Sequence, residues 1–326
     1  MTATDTTELP PPLARGQAVR RGDAIFRWIT LLSGVLVLVI ILAIAGFLLD
    51  RAAPAFRQMG LRFFTDRGWS PDAEHPAFGI AALAFGTVMS SICALVIAVP
   101  VALGSALFLT EVAPPRIGRW TGHLVDLLAA VPSVVYGLWG IYYLVPRLNP
   151  LERWIDGKVG GLVPLLHSRN AVYGKSLFAA SVVLAIMILP IIAAIAREVF
   201  RQVPVEDREA AMALGATQWE TIRLSVLPYS RGGIVGAIML GLGRALGETI
   251  AVALVLGSVF KVDLHIFEPG GNTIAANIAT KFGDSGAGGR QALIASGLVL
   301  FAITLVVNVI ARGVVYRTGL AAEGRP

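Results

Sequence analysis

Cysteine and charged residues are both scarce in this chain of 326 residues. The single cysteine, Cys93, excludes an intramolecular disulfide framework. The four histidines have no metal-ligand spacing, and no Ser-His-Asp or Cys-His arrangement typical of catalysis is evident. Charged residues make up 15% and hydrophobic residues 56%, whereas a soluble domain has about 25% charged residues. The composition indicates a membrane protein. The missing catalytic arrangements indicate that it is not an enzyme.

The net charge of +6 does not indicate a nucleic-acid-binding protein. The basic residues lie at the ends of apolar runs, and no basic patch is interleaved with stacking aromatic side chains. If the N-terminus is cytoplasmic, the inner segments carry slightly more Lys and Arg than the outer ones. This bias has the sign that the positive-inside rule requires, but it is too small to fix the orientation.

Six long runs of the sequence contain almost no charge. Each is long enough for the roughly 20 residues that cross the hydrocarbon core as a helix, and a helix satisfies its own backbone hydrogen bonds in lipid. The runs lie between Arg27 and Asp50, His75 and Glu111, Asp126 and Arg147, Lys175 and Arg197, Arg231 and Lys261, and Arg290 and Arg312. We therefore predict an all-α integral membrane fold with six transmembrane helices.

The predicted organisation has five parts. Residues 1–27 form a disordered basic tail, residues 28–49 the first transmembrane helix, and residues 50–79 an extracytoplasmic loop. A core with the other five transmembrane helices spans residues 80–312, and residues 313–326 form a cytoplasmic tail.

The connection between the fourth and fifth runs has the local signals of two helices. Pro204 followed by acidic residues marks a helix N-terminus, and Gly215 stands where a left-handed C-cap is expected. Thr217 and Glu220 have capping-box spacing at the start of a second helix, which we expect to end at Pro228. The small side chains of the first helix allow a partner protein to approach closely. The alternative is an amphipathic helix that lies in the membrane interface.

The motif Glu209-Ala210-Ala211, followed by Gly215 and then by Leu227-Pro228, resembles the EAA loop of ABC importer permeases. The spacing holds throughout, although Ser225 stands where that family has a branched aliphatic residue. The resemblance implies a type I ABC importer permease fold, in which this loop, about residues 204–228, is a cytoplasmic coupling helix docked on a separate ATPase subunit. It also implies that both termini are cytoplasmic, that the partner ATPase binds ATP and Mg²⁺, and that this chain holds no cofactor.

Three further segments resemble the PstC family of phosphate importer permeases. They are residues 129–140, 243–249 and 272–279. The resemblance implies a permease of the bacterial inner membrane that translocates inorganic phosphate. The implied partners are a PstA-like second permease, two PstB-like ATPase subunits and a PstS-like periplasmic phosphate-binding protein. The alternatives are a permease for another oxyanion, such as molybdate or sulfate, or for another small solute. An ion-driven secondary transporter is the remaining rival, although no inverted repeat is evident.

Two charges, Arg244 and Glu248, interrupt the fifth run. With a spacing of four they would share one face of a continuous helix, about one turn apart. A charge at bilayer depth usually faces a cavity or a partner, and a guanidinium suits a tetrahedral oxyanion. One interpretation is that Arg244 draws phosphate along the pathway while Glu248 neutralises it in the empty state. The other is an intrahelical ion pair with no role beyond structure. The resemblance to the PstC family implies that both residues take part in transport.

Overall fold

The computed structural model describes residues 17–323, and within that range it is mostly helical. The helices are α1 (Gln17–Met59), α2 (Arg62–Thr65), α3 (Ala81–Leu107), α4 (Pro115–Ala129), α5 (Ser133–Trp139), α6 (Val145–Ile155), α7 (Leu177–Arg201), α8 (Val205–Ala213), α9 (Gln218–Thr221), α10 (Leu227–Leu246), α11 (Ile250–Leu256), α12 (Ile274–Lys281) and α13 (Ala287–Glu323). Short π-helical turns occupy Phe108–Val112, Gly140–Leu144, Asp156–Gly160 and Ile222–Val226, and Pro164–Leu166 form a 3-10 turn. Strands β1 (Trp69–Ser70) and β2 (Ala77–Phe78) pair antiparallel, with Trp69 opposite Phe78.

Five helices of the described chain are long and apolar enough to cross a membrane. They are Gly22–Met59, Ala81–Val112, Leu177–Arg201, Gln218–Leu246 and Ala287–Gly313. A sixth span exists if Pro115–Ala129 and Ser133–Gly160, which meet at a bend of 89°, are counted as one. The predicted all-α membrane fold is confirmed, but the third predicted helix is bent sharply within its apolar run.

The first and last helices extend beyond the predicted bounds. Helix α1 begins at Gln17 and ends at Met59, so the predicted disorder of the N-terminal tail is wrong for residues 17–27. Helix α13 continues to Glu323, past the predicted core boundary at residue 312. A helix can continue past the hydrocarbon core because its backbone hydrogen bonds do not depend on lipid. Residues 1–16 lie outside the described part of the chain.

The chain divides into two units at Asp50. The described part of the first unit belongs to α1, whose side chains are exposed over most of its length. In the second unit α7 is the most buried long helix, and α3, α4, α10 and α11 pack against it. Ala94, Ala98 and Ala102 recur every four residues on the buried face of α3. Such small side chains let two helix backbones approach closely in a membrane.

A second apolar cluster lies in the predicted extracytoplasmic region. Phe63 and Phe78 are fully buried there, and their rings meet edge to face at 6.1 Å. The Asp72 carboxylate, just after β1, accepts hydrogen bonds from the amides of Gly286 (3.1 Å) and Gly289 (2.8 Å). These bonds satisfy amides at the start of α13, which have no partner within the helix. The β-hairpin is thereby tied to the last transmembrane helix.

Candidate functional site

The fifth transmembrane segment is broken at Glu248. Helix α10 ends at Leu246, and α11 begins at Ile250. Arg244 lies in the last turn of α10, whereas Glu248 lies in the connection between the two helices. The prediction that both charges share one continuous helix is therefore wrong.

The Glu248 carboxylate satisfies the start of α11. It is buried, and its Oε1 accepts a hydrogen bond from the Ala251 amide at 3.3 Å. A carboxylate in this position favours the helix because it accepts from a free amide and meets the positive end of the helix dipole. No ion pair within 4.0 Å joins Glu248 to Arg244 among residues 17–323. The predicted neutralisation of Arg244 by Glu248 is thus not seen as a direct contact.

The third transmembrane segment is broken in a similar way. Helix α4 ends at Ala129, and Pro132 precedes the first residue of α5. Proline cannot donate a backbone hydrogen bond, so it suits a helix start better than a helix interior. The buried Tyr136 bridges the break, because its hydroxyl donates to the Leu128 carbonyl at 2.9 Å.

The two broken segments pack against each other through a glycine. Helices α5 and α11 are in contact. A Cβ placed on Gly137 would lie 2.8 Å from the Cα of Ala251, closer than packed carbon atoms allow. Gly137 therefore lets the two backbones meet next to the start of α11. The segment 129–140 thus contacts α11, the helix that follows the segment 243–249.

Arg244 has the properties of an anion contact. Its side chain is half-buried, and its Nε is buried without a hydrogen-bond partner in the described chain. A guanidinium stays charged at all physiological pH values and can donate two parallel hydrogen bonds to an oxyanion. Among residues 17–323 no three His, Cys, Asp or Glu side chains are grouped so that they could hold a metal ion.

The predicted helix–glycine–helix segment is present. Helix α8 is followed by Gly215, whose φ of +84° is left-handed. The Ala216 amide donates to the Ala211 carbonyl at 3.1 Å, which closes the helix end. Glu209 and Ala210 are exposed and Ala211 is half-buried, so part of the motif is open to a partner.

The second helix of this segment differs from the prediction at its end. Thr217 and Glu220 form the predicted capping box. The helix does not stop at Pro228, however, but continues from Gln218 to Leu246. A π-helical turn over Ile222–Val226 precedes the proline and changes the hydrogen-bond spacing there. Ser225, the departure from the family motif, lies in this turn.

Arg208 ties α8 to the rest of the chain. Its Nη2 donates to the Phe200 carbonyl at 2.6 Å and lies 3.1 Å from Glu111 Oε1. The Gln218 side chain also donates to the Glu111 backbone carbonyl. Sequence analysis did not single out these residues. The sequence feature that could have revealed them is a pair of opposite charges on two segments that the predicted topology puts on the same side of the membrane.

The segment 272–279 lies against α3. The Ile274 amide donates to Thr87 Oγ1 at 3.0 Å, and the side chains of Asn272 and Asn277 bond to each other at 3.3 Å. A Cβ on Gly86 would overlap the Asn272 carbonyl oxygen, so the close approach requires a glycine at that position.

Tyr173 and Asp263, which lie in the loops before α7 and α12, have shifted pKa values. Burial and the hydrogen bond to Asp156 raise the pKa of Tyr173 to about 12. Burial alone would raise the pKa of Asp263. The hydrogen bonds from His265 and the charge of Lys261 outweigh burial and lower it.

Comparisons with known proteins identify the family of this chain. The family described as binding-protein-dependent transport system inner membrane component matches residues 98–319. Phosphate transport system permease protein PstC 2 of Mycobacterium tuberculosis is 46% identical over 298 residues, covering 90% of this chain and 92% of that protein. Phosphate transport system permease protein PstC of Mycobacterium leprae is 44% identical over 309 residues, covering 94% of this chain and 97% of that protein.

Solved structures show the same fold at low sequence identity. The inward-facing MetNI methionine ABC transporter has a TM-score of 0.52 at 18% identity, covering 73% of this chain and 95% of that one. A bacterial ABC transporter involved in alginate import has a TM-score of 0.53 at 16% identity, covering 91% of this chain and 99% of that one. This chain belongs to the family of binding-protein-dependent transport system inner membrane components. It is a multi-pass permease subunit of an ABC transporter, and the resemblance to the PstC family is confirmed.

Proposed function

We propose that this chain carries inorganic phosphate across the cytoplasmic membrane as one permease subunit of an ATP-driven importer. The observation that carries the proposal is Arg244, a half-buried cation with a free Nε beside the contact of two broken helices. The relatives that are 46% and 44% identical to this chain are phosphate transport system permeases. A guanidinium matches the oxygens of phosphate in both charge and geometry.

The roles of Arg244 and Glu248 differ in this proposal. Arg244 donates hydrogen bonds to phosphate as the anion passes between the permease subunits. Glu248 stabilises a separate start of α11 by accepting a hydrogen bond from the Ala251 amide. Arg244 therefore stays at the end of α10 instead of inside a continuous helix. The negative charge of Glu248 also limits how tightly an anion can bind nearby, which favours release.

The proposed assembly contains four kinds of subunit. A PstA-like permease forms the second half of the pathway, two PstB-like ATPase subunits bind ATP and Mg²⁺, and a PstS-like periplasmic protein delivers phosphate. Glu209, Ala210, Ala211 and Gly215 form the surface that docks on the ATPase. Both chain termini and α8 are cytoplasmic in this arrangement, and the loops around Trp69 and Asn272 are extracytoplasmic.

The test is uptake of radiolabelled phosphate by cells that lack this chain and all other phosphate carriers. Complementation with the native chain should restore uptake, whereas Arg244→Gln should lower it by about tenfold to about a hundredfold. That range follows from the loss of charge-assisted hydrogen bonds worth about 1.5–3 kcal/mol. Arg231→Gln is the matched control, because Arg231 is an exposed arginine on the same helix.

Two outcomes would contradict the proposal. Uptake by Arg244→Gln cells equal to uptake by native cells would remove Arg244 from the pathway. Failure of the native chain to restore phosphate uptake, with restored uptake of labelled molybdate or sulfate, would reassign the cargo to another tetrahedral oxyanion.

A further inference from the structure

One ion pair joins the fourth transmembrane helix to the broken third segment. Arg197 of α7 donates from Nη2 to both carboxylate oxygens of Asp126 on α4, at 2.8 and 2.9 Å. Arg197 is 8% exposed. A Cβ on Gly122 would overlap its Nη1, so a glycine is needed for the guanidinium to lie against α4. The pair is therefore built into the packing of the two helices.

On the α7 side the pair is close to the ATPase-docking surface. Arg197 lies one turn before Phe200, whose carbonyl accepts from Arg208 of α8 at 2.6 Å. Arg208 is in turn paired with Glu111 at the end of the second transmembrane segment. Arg208 thus links α8 to the end of α7 that carries Arg197.

On the α4 side the pair is close to the substrate pathway. Asp126 lies two residues before Leu128, whose carbonyl accepts from the Tyr136 hydroxyl across the α4–α5 break at 2.9 Å. Tyr136 adjoins Gly137, whose close contact with Ala251 joins α5 to α11, the helix that follows Arg244. The Arg197–Asp126 pair is consequently a polar link between the helix that leads into α8 and the broken segment beside Arg244.

We propose that Arg197 and Asp126 are positioning residues of the transport cycle, which make α4 and the α4–α5 break move with α7 when the ATPase moves α8. The inference rests on the proposed function of this chain as an ATP-driven permease. It assigns no contact between Arg197 and phosphate, because Nη2 of Arg197 is paired with the Asp126 carboxylate and Nη1 is packed against Gly122.

A purely structural ion pair makes a different prediction for single and double variants. The Arg197 side chain is 9% exposed and the Asp126 side chain 46% exposed. Asp126→Asn leaves a buried guanidinium without its counter-charge, whereas Arg197→Gln leaves the carboxylate, which is the more exposed partner of the pair. Breaking a buried pair is most costly when the partner left behind is buried and charged. The double variant Arg197→Gln/Asp126→Asn has neither unpaired charge.

The experiment uses the complete importer in proteoliposomes, with its binding protein supplied at the outer face. The yield of assembled complex, phosphate uptake per ATP hydrolysed, and stimulation of ATP hydrolysis by the binding protein are measured in the same preparations. The variants are Arg197→Gln, Asp126→Asn and their combination. Arg119→Gln, which removes an exposed arginine of α4, is the matched control.

The proposal expects stability and coupling to separate. Asp126→Asn gives the lowest yield of complex, and the double variant recovers yield toward the native value. Stimulation by the binding protein and uptake per ATP stay at least about fivefold lower in all three variants, since coupling energies between sites are worth at least that factor. Arg119→Gln behaves as the native complex does.

The proposal would be overturned if the double variant recovered both the stimulation of ATP hydrolysis by the binding protein and the phosphate uptake per ATP. The pair would then serve only to neutralise a buried charge. Failure of the proposed function has a different signature. A native complex that responds to its binding protein but takes up no phosphate has another cargo, and the stimulation ratio of the variants still tests the ion pair.

Discussion

The contact between α3 and the segment 272–279 depends on a single missing methyl group. In Gly86→Ala the new Cβ would overlap the carbonyl oxygen of Asn272, a backbone atom that no rotamer change can move away. The segment must then separate from α3, which also breaks the bond from the Ile274 amide to Thr87 Oγ1. Overpacking costs about 1–3 kcal/mol, and a buried amide without a partner costs about 1–3 kcal/mol.

Helix propensity acts in the opposite direction, because alanine is favoured over glycine by about 1 kcal/mol in a helix interior. The sum of these effects is a destabilisation of about 3 kcal/mol for Gly86→Ala. Gly104→Ala on the same helix is the control, since no heavy atom lies within 4 Å of the added Cβ. It should stabilise the chain by about 0.5–1 kcal/mol.

The assay is the midpoint of thermal unfolding of the assembled permease in lipid nanodiscs, together with phosphate uptake. Gly86→Ala should unfold well below the native protein and lose uptake, whereas Gly104→Ala should unfold at or above the native midpoint. Equal midpoints for the two variants would refute the reasoning, because only the packing against Asn272 distinguishes them.

Two further predictions concern Gly215, in the helix–glycine–helix segment, and Asp263, in the loop before α12. Gly215→Val forces a β-branched residue to φ +84° and should cost about 1–2 kcal/mol of local strain. Membrane insertion of this variant should persist, while phosphate uptake per ATP hydrolysed should fall. The control is Gly215→Asn, because asparagine tolerates this conformation, and this variant should retain coupling. Insertion failure of Gly215→Val would argue against a docking role. The lowered pKa of Asp263 means that its paired carboxylate stabilises the fold above the ordinary pKa of 3.8 and that this contribution is lost as the pH falls through the lower folded value. In thermal unfolding below pH 5, Asp263→Asn should therefore show a weaker pH dependence than the native protein, and an unchanged profile would contradict the pairing with His265.

The elements that the sequence predicts well are those with local signals. The apolar runs reveal the spans because the thickness of the hydrocarbon core fixes their length. The coupling segment is predictable because Gly215 and the Thr217–Glu220 capping box act within a few residues. The continuation of the helix through Pro228 was not predictable, because a π-helical turn has no clear sequence signature.

The contacts that build the candidate site join residues that are far apart in the sequence, so they have no local signal. Asp126 and Arg197 are 71 residues apart, and sequence analysis treated them only as the ends of two apolar runs. Their pairing depends on how α4 packs on α7, which periodicity does not report. Arg244 and Glu248 were selected because they are charges within an apolar run, but their spacing of four suggested a continuous helix. The break between them leaves little trace in an apolar, glycine-rich stretch.

The helix breaks before α5 and α11 explain why polar residues and a glycine occur close together at these breaks. A broken helix exposes backbone groups that lipid cannot satisfy, so such breaks occur only where protein or water satisfies them. Here Tyr136 satisfies the Leu128 carbonyl at one break, and Glu248 satisfies the Ala251 amide at the other. Gly137 then allows the two segments to meet. Arg244 is left as the charge beside this contact without a direct carboxylate partner in the described chain. In the proposed function, an anion that reaches Arg244 meets a guanidinium whose Nε has no hydrogen-bond partner in the described chain, while a side chain already satisfies one backbone group at each break.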